Sequence, residues 1–227
     1  MKINRKSVFL ILTLTLSALG MSVIDGFVQL PYLFKSILKI FLFSVVPLGY
    51  FLRYKDEYSR LKRLFVPRKS DVKFAFLLGV GVYSVILFAY VFLKDQIDLS
   101  SIRESLTANM GVNEHNFVYV AIYISFVNSL LEEFFFRGFA FLILKENTGR
   151  LFAYVFSALL FALYHVGMTS GWFHWSIHLL AMAGLFTGGC IFNYLNEKSE
   201  NIYPSWLVHM FANFAINTVG FILFGLI

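Results

Sequence analysis

The chain has 227 residues, of which 59% are hydrophobic and only 14% are charged, and its mean hydropathy is +0.73. A soluble domain is roughly 45–50% apolar and about a quarter charged, so this chain has too little polar surface to cover a water-soluble globule. The composition excludes a cytosolic enzyme, a nucleic-acid-binding domain and a disordered regulator. The single cysteine, Cys190, excludes a disulfide scaffold and a cysteine-based zinc site. The sequence therefore predicts an all-α, polytopic transmembrane bundle.

Seven segments are long and apolar enough to cross a bilayer as helices, which takes about 20 residues each. They cover residues 7–24, 30–52, 72–93, 117–144, 151–166, 174–194 and 203–226. The first segment also has features of a signal peptide, but its length favours an uncleaved span. We expect a single integral membrane domain over residues 1–227 with its motif-bearing core at about 117–227. A short surface helix is expected within residues 95–116.

The basic residues predict the orientation of these spans. Lys and Arg concentrate at the N-terminus, in the loop from residue 53 to residue 73, and in two later connections on the same side of the bundle. Because cytoplasmic loops carry an excess of Lys and Arg, we expect the N-terminus in the cytoplasm and the C-terminus outside. The net charge of +6 then reflects membrane topology and not a nucleic-acid partner.

Two adjacent glutamates, Glu132 and Glu133, interrupt the fourth span. Ionisable side chains inside a bilayer are costly, so each is a functional-site hypothesis. Neighbours on an α-helix point about 100° apart, which predicts different roles for the two carboxylates. Glu133 and Arg137 form an i,i+4 pair in the favourable order. This pairing leaves Glu132 without a local partner, so that it must face a cavity, water or another helix.

Partners for Glu132 are expected on later spans. His165 lies on the fifth, and His209 and Asn213 share one face of the seventh because they are four residues apart. At about 1.5 Å per residue, Glu132 and His165 lie about 20 and 21 Å from the inner ends of their helices, whereas His209 and Asn213 lie about 9 and 15 Å from theirs. Helix tilt or an earlier helix start would account for the difference. Each residue alone is more often a packing residue, but the combination indicates one polar site.

The chemistry open to these residues is limited. A Glu beside a His can deprotonate water, and a His and an Asn one turn apart can donate hydrogen bonds to an oxyanion. Together these groups suffice to hydrolyse an amide. Glu132, His165 and His209 could instead hold zinc, although the chain has no His-Glu-x-x-His helix.

A second histidine pair lies at the start of the sixth span. His174 and His178 are four residues apart and stand beside Trp172 and Trp175. This composition favours an aromatic belt at the outer membrane interface. A two-histidine metal site is the alternative.

Three motifs, in this order, resemble the signature of the CAAX prenyl protease and bacteriocin-processing family, also called CPBP or Abi. They are Glu132-Glu133-x-x-x-Arg137, Phe161-x-x-x-His165 and His209-x-x-x-Asn213. The resemblance implies an intramembrane endopeptidase with a helical core. In family terms Glu132 activates water, His165 assists it, His209 and Asn213 form the oxyanion hole, and Glu133 and Arg137 are supporting residues.

The resemblance leaves two accounts of the cofactor and several classes of substrate. Family members are often labelled metalloproteases, and a metal-free glutamate mechanism is the alternative that we favour here. Bacterial relatives are linked to the processing of leader-bearing peptides, to bacteriocin self-immunity and to the regulation of surface signalling. The short loops and the richness in Phe, Ile, Lys and Asn suggest a bacterial plasma-membrane protein that acts on a hydrophobic, leader or prenyl-like peptide.

Two other classes of function stay open on the sequence. The first is a non-catalytic immunity or regulatory protein that binds a peptide or a sensor partner in the same cavity. The second is a haem or ion carrier that uses His165 and His209 as facing ligands.

Overall fold

A computed structural model describes residues 4–67 and 72–227. All regular secondary structure in these residues is helical. The helices are α1 (Arg5–Phe27), α2 (Tyr32–Arg53), α3 (Tyr58–Leu64), α4 (Val72–Leu93), α5 (Leu99–Met110), α6 (Phe117–Thr148), α7 (Arg150–Thr169), α8 (Trp175–Ser199) and α9 (Tyr203–Leu223). Within the described ranges, seven of them are long and apolar enough to cross a membrane, namely α1, α2, α4 and α6 to α9. The predicted polytopic helical bundle is confirmed, and the protein is an integral membrane protein.

The short helix expected between the third and fourth spans is α5. Asp98 caps its N-terminus, where the side chain accepts a hydrogen bond from the backbone N–H of Ser101 at 3.0 Å. Gly111 ends the helix in the left-handed region with φ of 68°, a conformation that glycine adopts without a steric penalty. The prediction of a helix between residues 95 and 116 is confirmed.

Helices α1, α6 and α7 form the centre of the bundle. Half of the most apolar stretch of α6 and of α7 is buried, against 6% for α4, which lies at the periphery. Helices α1 and α7 approach so closely that a Cβ atom on Gly167 would lie 1.8 Å from the carbonyl oxygen of Ser22. The N–H of Gly167 donates to the Ser22 hydroxyl at 3.1 Å across this contact. Helix α1 is therefore packed into the core as one of its membrane helices.

Two membrane helices contain widened, π-helical turns. In α2 the wide turn covers Phe41–Val45 and ends two residues before Pro47. Proline has no N–H and collides with the carbonyl four residues earlier, and an extra residue in the turn relieves both problems. Helix α6 is π-helical over Tyr123–Asn128 and again over Glu133–Ile143, so the two glutamates lie between and at the start of its wide segments. Such turns occur often at functional sites.

Ion pairs tie the predicted cytoplasmic ends of the helices together. Lys6 on α1 pairs with Asp56 and Glu57 after α2, and Arg60 on α3 pairs with Glu57 and, at 2.7 Å, with Glu146 on α6.

Three of the basic residues used for the orientation, Lys2, Arg68 and Lys69, lie outside the described residues. The placement of these ends in the cytoplasm stays a prediction.

Candidate active site

The Glu132 carboxylate is the centre of a buried polar cluster, and its two oxygens have different surroundings. Oε1 accepts a hydrogen bond from Nδ2 of Asn128 at 2.9 Å and lies 3.7 Å from the ammonium of Lys39 on α2. Oε2 faces Nε2 of His165 at 3.9 Å and Nε2 of His209 at 3.7 Å. The expectation that Glu132 has no local partner is wrong, because Asn128 lies one turn earlier on the same helix.

His165 is held in place by its own helix. Its Nδ1 lies 2.8 Å from the carbonyl oxygen of Phe161. A carbonyl only accepts hydrogen bonds, so Nδ1 carries the proton and Nε2 is turned toward Glu132. The rings of Phe161 and Tyr164 pack against the imidazole with centroids at 4.6 and 4.8 Å. The motif Phe161-x-x-x-His165 therefore provides both the carbonyl and the aromatic ring that orient this histidine.

His209 lies between the two glutamates. Its Nδ1 is 2.8 Å from Oε1 of Glu133, while its Nε2 faces Glu132. The prediction that the adjacent carboxylates have separate partners is therefore incomplete, since one imidazole contacts both. The reason is geometric: the 100° spacing assumes a regular α-helix, whereas a wide π-helical segment begins at Glu133. The carboxylate of Glu133 fixes the orientation of the ring, as outer partners of functional histidines do.

Arg137 lies beneath this cluster with no exposed surface. Its Nε is 3.5 Å from Oε2 of Glu133, so the predicted pair is in contact. Its Cζ lies 4.0 Å from the ring centroid of Phe161 and 4.8 Å from that of Phe192. Among the described residues none of its nitrogens has a hydrogen-bond partner. The guanidinium is therefore stabilised by one carboxylate and by aromatic faces, which interact strongly with a desolvated cation.

Asn213 lies one turn beyond His209 on α9. Its Nδ2 donates a hydrogen bond to the carbonyl oxygen of Ile124 at 3.1 Å, inside the first wide segment of α6. Asn217 donates in the same way to Ala121 at 3.1 Å. Wide turns leave carbonyls available to such outside donors. The bond to Ile124 uses one of the two N–H groups of the Asn213 amide.

A zinc site needs three or four donor side chains that converge on one point. Within residues 4–67 and 72–227, no group of three His, Cys, Asp or Glu side chains is arranged to hold a metal ion. Lys39 already places a positive charge 3.7 Å from Glu132, and a divalent cation there would add a like charge. The donor set of Glu132, His165 and His209 therefore fits zinc poorly.

The second histidine pair is separate from this cluster. His174 is exposed at the start of α8, with its Nδ1 3.0 Å from the Ser176 hydroxyl and its ring 5.7 Å from that of Trp175. The membrane-interface role of His174 and His178 stays a prediction.

Comparison with known proteins adds one match. Residues 114–215 match the family model described as Type II CAAX prenyl endopeptidase Rce1-like, and this segment contains all three motifs. No curated protein and no solved structure matches the chain. The match agrees with the motif order and with the clustering of Glu132, His165 and His209 inside a helical bundle. Over residues 114–215 the chain is therefore similar to the CAAX-type intramembrane proteases of the CPBP family.

Proposed function

We propose that the protein is an intramembrane endopeptidase in which Glu132 activates a water molecule for attack on a peptide bond. The observation that carries this proposal is the arrangement around Oε2 of Glu132, which faces Nε2 of both His165 and His209 at 3.7–3.9 Å. These separations are too long for direct hydrogen bonds, and one water molecule between the groups would bind all three. Glu132 is only 2% exposed, so the peptide reaches it only when the surrounding helices separate.

The proposed reaction follows from the positions of the donors and acceptors. Glu132 takes a proton from the water, and the water oxygen attacks the carbonyl carbon of the peptide bond. The resulting oxyanion accepts hydrogen bonds from Nε2 of His209 and from the free N–H of Asn213. For this step His209 must be an imidazolium, and the carboxylates of Glu132 and Glu133 on its two sides suit that charge. Glu132, assisted by His165, then delivers the proton to the leaving amine as the carbon–nitrogen bond breaks.

The substrate in this proposal is a peptide inside or at the surface of the bilayer. The matched family description names prenyl endopeptidases, so a prenylated chain terminus is one form of such a peptide. A bacterial hydrophobic or leader peptide is another. Both present an apolar segment beside the bond to be cut, as a site buried among phenylalanines requires. The proposed location is a bacterial plasma membrane with the N-terminus in the cytoplasm.

A metal-free mechanism predicts that chelators leave the activity unchanged. Because Lys39 and the two imidazoles provide the positive and polar partners of Glu132, we expect EDTA or 1,10-phenanthroline to change kcat by less than about twofold, a barrier change of only a few tenths of a kcal/mol. Elemental analysis of an active preparation should find less than stoichiometric zinc. Activity that is lost on chelation and restored by zinc would contradict this mechanism, and would leave the peptidase assignment intact.

The competing function is a non-catalytic immunity or regulatory protein that binds a peptide in the same site. Comparing cells that carry the wild type with cells that carry Glu132→Gln separates the two, with small peptides identified by mass spectrometry. A peptidase produces peptide termini that are missing in the variant. A binding protein leaves the set of peptide termini the same in both. The haem-carrier alternative fits poorly, because Nε2 of His165 and Nε2 of His209 both already face Oε2 of Glu132.

A further inference from the structure

Two lysines lie within the apolar helix α2, one turn apart. The ammonium of Lys35 donates to the backbone carbonyl of Asp25 at 3.0 Å, at the end of α1. The ammonium of Lys39 instead reaches α6, where it donates to Oδ1 of Asn128 at 2.9 Å and lies 3.7 Å from Oε1 of Glu132. Only Lys39 contacts the cluster around Glu132. Placing a lysine inside a bilayer is costly, so its position requires a compensating partner or a function.

Lys39 and Asn128 act on the same oxygen of Glu132. The Asn128 amide accepts from Lys39 through Oδ1 and donates to Oε1 of Glu132 through Nδ2 at 2.9 Å. The lysine thus determines which way the amide points, because its ammonium can only donate. With Oε1 held in this manner, Oε2 is the oxygen that remains directed at the two histidines. The ring of Tyr164, 5.2 Å from the Lys39 ammonium, closes the other side of the lysine.

We propose that Lys39 is a positioning residue that fixes the orientation and balances the charge of Glu132 from helix α2. The effect of Lys39 on catalysis rests on the proposed function. Helix α2 lies outside the segment 114–215 that matches the protease family, so this role extends the site beyond the three motifs. The Asp25 carboxylate on α1 interacts electrostatically with both Lys39 and Glu132. Among the described residues, the basic groups at 3.7–3.9 Å from the Glu132 carboxylate are Lys39 on α2, His165 on α7 and His209 on α9. Of these, only the lysine lies on the Oε1 side.

The proposal is tested by the reactivity of Glu132 toward an apolar carbodiimide, which modifies protonated carboxyl groups inside membranes. The protein is reconstituted in lipid nanodiscs at neutral pH, and the labelling rate of Glu132 is measured by mass spectrometry of its peptide. In the wild type the ammonium keeps the carboxylate charged, and labelling is slow. We expect Lys39→Met to raise the rate at least about tenfold, because the carboxylate then lacks the neighbouring positive charge that favours its ionised form. Lys39→Arg keeps the charge and should restore the slow rate.

Lys35→Met is the matched control, because it removes an ammonium one turn away that does not contact Glu132. It should label Glu132 at the wild-type rate. If Lys39→Met does not fold, Lys39→Gln serves as a second neutral variant. Gel filtration verifies that each variant is folded. A folded Lys39→Met or Lys39→Gln protein that labels like the wild type would overturn the proposal, and so would an equal effect of Lys35→Met.

Turnover gives an independent readout of the same role. In an active preparation Lys39→Met should lower kcat at least about tenfold with little change in KM, since it disturbs the base and not the peptide contacts. The labelling experiment needs no turnover, so it tests the contact between Lys39 and Glu132 even in a protein without peptidase activity. Conversely, cleavage that depends on Glu132 but not on Lys39 would reject the role of Lys39 and leave the proposed function standing.

Discussion

Replacing Glu132 with glutamine is expected to lower kcat for peptide cleavage by at least about 10³-fold while leaving the protein folded. Loss of one oxyanion donor typically costs about 10²–10³ in rate, and loss of the base should cost at least as much. Glutamine has the same shape, and its carbonyl oxygen can still accept the hydrogen bond that Asn128 donates to Oε1. Lys39 keeps its own hydrogen bond to Oδ1 of Asn128, so its ammonium is not left without a partner. The measurement is single-turnover cleavage of one peptide together with the thermal unfolding temperature.

Asn213→Ala is the comparison variant for this prediction. It removes one donor to the oxyanion and keeps the base, so its loss should fall in the range of about 10²–10³. The assignment of Glu132 as the base would be contradicted if its variant kept more activity than Asn213→Ala. It would be contradicted equally if the activity of Glu132→Gln fell only in proportion to the amount of folded protein.

Glu133→Gln is expected to act chiefly on stability, lowering the free energy of unfolding by about 3–5 kcal/mol. The reason is that Arg137 has no exposed surface and Glu133 is the carboxylate in contact with it, at 3.5 Å. Removing one partner of a buried ion pair leaves an uncompensated charge, which costs more than the pair contributes. The change also alters the hydrogen bond that Glu133 makes with His209, so activity should fall as well.

A double variant provides the control for the buried ion pair. Glu133→Gln combined with Arg137→Met removes both charges, and we expect it to be more stable than Glu133→Gln alone. Unfolding of all three variants in the same detergent gives the coupling energy between the two residues. If Glu133→Gln unfolds like the wild type, or if the double variant is the least stable, Glu133 does not stabilise the guanidinium of Arg137.

The membrane helices and the core of the site could be predicted from the sequence for a simple physical reason. Apolar stretches of about 20 residues have few alternatives to a membrane helix, and an ionisable residue within one needs a partner. That reasoning placed Glu132, His165, His209 and Asn213 in one site. The distances of 3.7 and 3.9 Å bring the first three together, whereas the Asn213 amide bonds to the carbonyl oxygen of Ile124. The contact between Glu133 and Arg137 followed from i,i+4 spacing, and the structure shows it at 3.5 Å.

Other contacts of the site could not be predicted from the sequence, because helical periodicity does not encode them. The contact of His209 with both glutamates and the bond from Asn213 to Ile124 involve the wide turns of α6, which a constant 100° spacing cannot represent. The contact of Lys39 with Glu132 depends on how α2 packs against α6, two helices far apart in the sequence. A signal for it was nevertheless present, because Lys39 is itself an ionisable residue inside an apolar span.

Hydrolysis in H₂¹⁸O shows whether Glu132 activates water to cleave a peptide bond within the membrane. Purified protein in nanodiscs is incubated with a hydrophobic peptide that it cleaves or binds, and the products are analysed by mass spectrometry. We expect a new C-terminal carboxylate that carries one ¹⁸O atom in the wild type, and no new terminus with Glu132→Gln. A wild-type protein that binds the peptide without producing a terminus would contradict this role of Glu132, as would equal ¹⁸O incorporation by the variant.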